Sequence, residues 1–200
     1  MCALNSIRDA AAFILAGGKS SRMGEDKARL KLQGHTLLEI AIGKAREVVD
    51  TVGIVGPRAS FGPDAIEDIY PDCGPLGGIH SALTHSSCDF NLILAVDVPF
   101  VEAPFLCFLL QQAQASHAVA TLARTSDGFQ PLCAVYQKSF AQLAEKALKK
   151  QRYKIDALFP LVQTRIIAED ELRQLAFDPA MFQNLNTRVE YERAKARQNG

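Results

Sequence analysis

A mostly parallel α/β sheet with helices on both faces, the Rossmann-like plan, is what the chain's patterning predicts. Three observations carry that reading. Short apolar runs alternate with stretches of helical periodicity along the whole length. With 48% hydrophobic and 22% charged residues, the 200-residue chain can fill one core of ordinary globular composition. No internal repeat, low-complexity tract or linker divides it, so residues 1–200 read as one domain, with 1–10 a loosely ordered N-terminus.

Ala11–Leu15 is the first buried strand. Apolar residues at 37, 38, 41, 42, 45, 48 and 49 predict a helix from Leu37 to Val49, and Thr36 and Glu39 have capping-box spacing at its start. Val52–Val55 is the next short strand, and Ala65-Ile66 adds a candidate. Pro75 opens a helix with Leu76, Ile79 and Leu83 on one stripe. Phe90–Val96 is a strand that stops at Asp97, and Phe105–Ala113 a helix. Val119–Ala123 and Leu132–Tyr136 are further strands. A helix with Phe140, Leu143, Ala144, Ala147 and Leu148 on one face follows, with Ser139 and Gln142 as a second capping box. Val162–Ala168 is the last strand, followed by a short helix near Asp170–Leu175 and a final helix opening at Thr187, with Glu190 three places on.

Charge and cysteine content exclude several classes. Formal net charge is zero with no long run of one sign, which argues against a nucleic-acid-binding protein, since such binding rests on a basic surface. The five cysteines are widely spaced with no C-x-x-C pair, which disfavours a zinc ribbon or a thioredoxin motif. Cys107 and Cys133 lie in apolar runs and read as small core residues. Met1–Asp9 lacks the apolar stretch of a signal peptide, and no apolar run is long enough to span a bilayer. The chain therefore reads as soluble and cytoplasmic.

The loop after the first strand is the most informative segment. Between Gly17 and Lys27 it holds three glycines, two serines and three cations. Glycine lets backbone N–H groups approach phosphate oxygens, and successive N–H groups form an anion-binding nest. Lys19, Arg22 and Lys27 can neutralise charge, arginine with a planar fork and lysine as a point charge. Such a loop suits a triphosphate; the competing reading is a solvated strand-to-helix turn. Two familiar phosphate motifs fail here. The glycine that a P-loop needs five places before Gly18 is Phe13, and no G-x-G-x-x-G follows the strand. No nucleophile elbow surrounds Ser20 and Ser21, which read as phosphate hydrogen-bond donors.

One other segment falls where ligands collect in such sheets, beyond the carboxyl end of a strand, and two more stand out by their residues. Asp97 ends a buried strand and can hold Mg²⁺ beside a triphosphate or merely cap the following turn. Gly74-Pro75 feeds a helix start, and Gly77-Gly78 permit either a close ligand or tight packing. Asn184 and Asn186 share one face of an extended segment before Thr187, placed for a ligand or for capping and turn formation. His80 and His85, five apart, do not share a helical face as a metal pair at four would, and read as surface or packing histidines.

The segment Leu15–Lys27 resembles L-A-G-G-x-S-x-R-M-G-x-D-K, the signature loop of the molybdenum cofactor guanylyltransferases, at every fixed letter. Similar matches are Ile66-Glu67-Asp68 with Gly74-Pro75-Leu76-Gly77-Gly78-Ile79, the Asp97-Val98-Pro99 triplet, Pro131-Leu132-Cys133-Ala134-Val135-Tyr136, and Phe182 to Glu190. The resemblance runs from about Ala12 to Ala196. Two departures stand out: Gly56 where the family can have Asn after the second strand, and Arg188 in place of the usual Pro.

The resemblance implies transfer of GMP from GTP to the phosphate of Mo-bound molybdopterin, with release of pyrophosphate and Mg²⁺ as cofactor. It assigns the metal to Asp97 and catalysis to Arg22, Lys27 and Asp97. Nucleotide binding falls to Leu15, Ala16, Gly17, Gly18, Ser20, Ser21, Lys27, Asp68 and Asp97. Asn184 and Asn186 fall on the pterin side. It further implies transient contact with molybdenum-insertion proteins and molybdoenzyme chaperones, and no nucleic-acid or membrane partner. Cytidylyltransferases of the same cofactor usually carry L-A-A-G; Gly17 holds the deciding position, where the absence of a Cβ lets a purine lie against the backbone. Sugar-phosphate nucleotidylyltransferases begin similarly but lack the N-x-N-T ending. A non-catalytic carrier of pterin or nucleotide is the alternative of another class.

Overall fold

In the computed structural model, which describes residues 9–17, 27–185 and 187–197, β1 (Ala10–Leu15) is buried at every position, because parallel strands flank it and helices cover both faces. Its neighbours are β4 (Thr51–Val55) and β5 (Phe90–Ala95). The sheet continues through β7 (Gly128–Gln137) and β6 (Ala120–Thr125) to β8 (Thr164–Ala168), giving the order β4-β1-β5-β7-β6-β8. All strands run the same way except β7, which is antiparallel to both β5 and β6. The register pairs Leu15 with both Val55 and Ala95, so the loops after β1, β4 and β5 emerge side by side. A small separate hairpin joins β2 (Lys31–Leu32) to β3 (His35–Thr36).

Two helical layers close the core. On one face α1 (Leu37–Arg46) and α4 (Ala103–Ser116) bring Leu37, Ala41, Phe105 and Leu109 against Ile14 and Leu94. On the other, α3 (Pro75–His85) and α5 (Phe140–Lys149) pack Leu76, Ile79, Phe140 and Leu148 against Phe13, Ile93 and Leu122. The turn α2 (Arg58–Phe61) follows β4, α6 (Glu169–Gln174) follows β8, and α7 (Arg188–Arg197) docks through buried Tyr191 and Ala194.

Two of the three capping boxes form. In α1 the Glu39 N–H donates to Thr36 Oγ1 at 3.1 Å and the Thr36 N–H to Glu39 Oε2 at 2.7 Å. Thr187 and Glu190 make the same exchange at 2.8 and 3.2 Å, so Arg188 serves where a proline would. Ser139 does not cap α5: its backbone is already helical (φ −59°, ψ −24°), outside the extended geometry that a cap needs, and its hydroxyl turns to Gln137.

Several boundaries differ from the sequence reading. The helix from Leu37 stops at Arg46 rather than Val49. Ala65-Ile66 is not a strand but a single bridge from Ile66 to Val55. Val162 and Gln163 precede β8, after a 3-10 stretch Ile155–Leu161 that the pattern did not signal. The segments read as two separate strands at Val119–Ala123 and Leu132–Tyr136 form a hairpin, closed where Thr125 pairs with Gly128 (φ +111°). Cys107 and Cys133 are both buried, as their apolar runs predict; Cys133 is a free thiol and Cys107 is disulfide-bonded. Among the described residues no helix is long and apolar enough to cross a membrane.

Candidate active site

The carboxyl ends of β1, β4 and β5 gather the site. Asp97 follows β5 by two residues, held because Val96 N–H still donates to the Leu15 carbonyl at 3.3 Å. Asp97 Oδ2 lies 3.6 Å from Lys27 Nζ, both side chains about one-fifth exposed. Its Oδ1 is buried and has no hydrogen-bond partner among the described residues. A carboxylate oxygen taken out of water and left unpaired is costly, so the competing view of Asp97 as a turn cap leaves that oxygen unexplained. Among the described residues no three His, Cys, Asp or Glu side chains cluster as a metal cage. One carboxylate with an open oxygen nevertheless fits Mg²⁺, which binds through one or two carboxylates and takes its other ligands from substrate phosphates and water.

The turn that carries Asp97 is fastened from two sides. Leu185, fully buried, donates its N–H to the Asp97 carbonyl at 2.8 Å, which brings the exposed Asn184 beside the strand end. Lys44 on α1 donates its Nζ to the carbonyl of Pro99. Neither contact is visible in the local sequence, although Lys44 shares the helical stripe of Leu37, Ala41 and Val48, where a charge is out of place. That spacing was the available signal.

Asp68 occupies a different corner. As a residue it is exposed, yet its carboxylate tucks against the start of α3. A Cβ placed on Gly77 would come 3.8 Å from Asp68 Oδ2, and one on Gly78 would come 3.7 Å from Oδ1 and 3.3 Å from Leu15 Cδ2. That local burial raises its pKa above the usual carboxylate value. Gly77 is also required by the Tyr70 carbonyl, which a Cβ would meet at 2.9 Å. The adjacent Glu67 faces elsewhere, accepting the Arg58 N–H at 3.2 Å.

Ala16 and Gly17 continue β1 past its last residue, both donating N–H to the Val55 carbonyl, at 3.0 and 3.1 Å. A Cβ on Gly17 would come 3.3 Å from the Gly56 Cα. Glycine at 17 thus also answers to the backbone of the neighbouring loop. Gly56 is tighter still: its Cβ would meet the Phe61 ring at 2.8 Å and the Gly17 nitrogen at 3.1 Å. With Phe61 in place no asparagine side chain fits at 56, so a nucleotide here would meet backbone.

The structure brings Leu15, Ala16, Gly17, Lys27, Asp68, Asp97 and Asn184 to one end of the sheet. Gly18, Ser20, Ser21, Arg22 and Asn186 lie outside the described residues. His80 and His85 do not pair: His80 is buried against the Tyr70 ring (centroids 5.2 Å apart), and His85 Nδ1 bonds the Ser81 carbonyl at 2.9 Å.

A mostly parallel sheet with a carboxylate and a paired lysine gathered at its carboxyl edge is the frame of an α/β nucleotide-binding protein. The comparisons with known proteins give the particular family. The model of the MobA-like NTP transferase domain matches residues 12–163, and the chain belongs to that family. It is 35% identical over 188 residues to a Clostridium perfringens protein named "Probable molybdenum cofactor guanylyltransferase", covering 90% of this chain and 93% of the relative. The molybdenum cofactor guanylyltransferase of Syntrophotalea carbinolica is 31% identical, with 91% and 89% covered. Among solved structures, molybdopterin-guanine dinucleotide biosynthesis protein A of Archaeoglobus fulgidus superposes with a TM-score of 0.80 at 25% identity, covering 94% of this chain and 98% of that one.

Proposed function

We propose that the chain transfers GMP from GTP to the terminal phosphate of Mo-bound molybdopterin, releasing pyrophosphate. The observation that carries the reading is Asp97, with one oxygen near Lys27 and the other buried without a hydrogen-bond partner among the described residues, one residue beyond the Val96 N–H that bonds the end of β1. An oxygen of the pterin phosphate attacks the α-phosphorus in line; the new O–P bond forms as the bond to the β-phosphate oxygen breaks. Such a transfer asks the protein mainly for positioning and charge stabilisation.

Each residue has a stated task in this proposal. Lys27 and Arg22 neutralise the leaving pyrophosphate, and Gly18, Ser20 and Ser21 donate hydrogen bonds to phosphate oxygens. Leu15, Ala16 and Gly17 offer backbone to the base, and Asp68 takes a hydrogen bond from the nucleoside. Asp97 holds Mg²⁺, which when bound screens the triphosphate from the incoming phosphate. Asn184 and Asn186 meet the pterin side. Cytoplasmic location and transient contacts with molybdenum-insertion proteins and molybdoenzyme chaperones belong to the same proposal.

The test is pyrophosphate release on mixing the protein with GTP, Mg²⁺ and molybdopterin, repeated with CTP. Release with GTP well above that with CTP is expected. Equal use of CTP overturns the base assignment, and binding of both substrates without release makes the protein a carrier.

A further inference from the structure

Lys44 is a partly buried lysine on a helix stripe that otherwise feeds the core. Burial draws its pKa below the ordinary lysine value, with Glu102 and Glu47 acting the other way. The Cys133 thiol, pushed up to about 12 by burial, is near enough to feel the ammonium. A charge in such surroundings needs a good acceptor. Its Nζ finds the carbonyl of Pro99, two residues beyond Asp97. From the opposite side Leu185 N–H holds the Asp97 carbonyl at 2.8 Å, and Val101 N–H closes the turn on Val98 O at 3.3 Å. With Val96 N–H on the Leu15 carbonyl ahead of it, the peptide that aims Asp97 is therefore fixed before and after the side chain.

We infer that Lys44 is a positioning residue for phosphoryl transfer, tying the Pro99 carbonyl to α1 and thereby fixing the direction in which Asp97 presents its free oxygen. The inference rests on the role given to Asp97 in the proposed function. Its physical basis is the steep geometric demand of such a centre, where a displacement of about 1 Å costs on the order of 100-fold in rate. The competing account is a lysine favoured near a helix C-terminus, whose loss would change melting and nothing else. A methionine at 44 keeps the stem and removes the donor; an arginine keeps a donor.

The experiment compares wild type, Lys44→Met and Lys44→Arg in two arms. In the first, amide hydrogen exchange is followed across residues 96–103 of the resting protein. In the second, steady-state turnover is titrated with Mg²⁺, alongside calorimetric binding of Mn²⁺ in the presence of GTP. Lys44→Met should speed exchange in 96–103 about tenfold, raise the metal half-saturation and the Mn²⁺ dissociation constant several-fold, and lower kcat about tenfold. KM for GTP at saturating metal should stay within about twofold. Lys44→Arg should recover most of each loss. Wild-type exchange in Lys44→Met overturns the clamp; faster exchange with an unchanged metal dependence overturns its catalytic consequence. Should Lys44→Met not fold, Lys44→Gln carries the same arms. A wild-type protein without metal-dependent turnover defeats the proposed function instead, while the exchange arm still decides what Lys44 holds.

Discussion

Asp68 and Asp97 lie at the same end of the sheet, yet their surroundings prepare them for different work. Asp97 has a cation at 3.6 Å, an open oxygen, and a backbone fastened through Leu185 and Lys44. Asp68 has apolar Leu15 and the glycines of α3 around it, and its pKa is raised by burial. A carboxylate with an open oxygen beside a cation suits a metal, whereas one tucked against the glycines of a helix start suits a single directed hydrogen bond. The lesson is that residue type and strand-end position do not separate the two roles; the neighbours do.

The largest break in that contrast should come from Asp97→Asn. Removing the anionic ligand while keeping the shape is expected to lose several kcal/mol of transition-state stabilisation, or about 1,000-fold in kcat, with thermal unfolding nearly unchanged. Near-wild-type turnover in Mg²⁺ would return Asp97 to the status of a turn residue.

Lys27→Ala and Arg22→Ala come next. Each loses a charge-assisted contact of roughly 1.5–3 kcal/mol, read as a fall in kcat/KM for GTP. Kinetics unchanged in both variants would leave the loop without a hold on the triphosphate.

Gly56→Ala separates packing from chemistry at the neighbouring loop. Its methyl meets the Phe61 ring and the Gly17 nitrogen, and overpacking of this kind costs about 1–3 kcal/mol in chemical unfolding. By contrast Gly43→Ala, on the exposed side of α1 with nothing within 4 Å, should stabilise by ~0.5–1 kcal/mol. Equal melting of the two variants would show that the contact between the β1 and β4 loops is slack.

Asp68→Asn carries the smallest stability effect and a definite sign. A carboxyl whose folded pKa lies above its unfolded value opposes folding once ionised; that cost is absent at pH below the unfolded value and grows as pH rises through the folded one. The variant should therefore melt slightly higher than wild type at neutral pH and converge with it on acidification, while GTP affinity falls. A gap that widened in acid would mean that Asp68 is stabilised as an anion.

What the sequence made legible follows the range of each interaction. Local devices were readable: the Thr36/Glu39 and Thr187/Glu190 boxes depend on residues three apart, and β5 ends at Ala95, one residue before its apolar run stops and two before Asp97. Ser139 had the right spacing but not the right backbone, which spacing cannot encode. The reversal of β7 went unread because its first half, from Gly128 to Leu132, is only half-buried and shows no apolar run. Gly17 against Gly56, and Lys44 against Pro99, join segments 39 and 55 residues apart, and only the folded sheet brings them together.

The central claim is that this end of the sheet moves a guanylyl group, and following the α-phosphate tests it most directly. With GTP labelled at that position, the wild-type protein, Mg²⁺ and molybdopterin should yield a pterin product carrying one label per molecule, with unlabelled pyrophosphate released in equal amount. Label recovered as free GMP, or left in intact GTP while molybdopterin stays bound, would contradict transfer to the pterin.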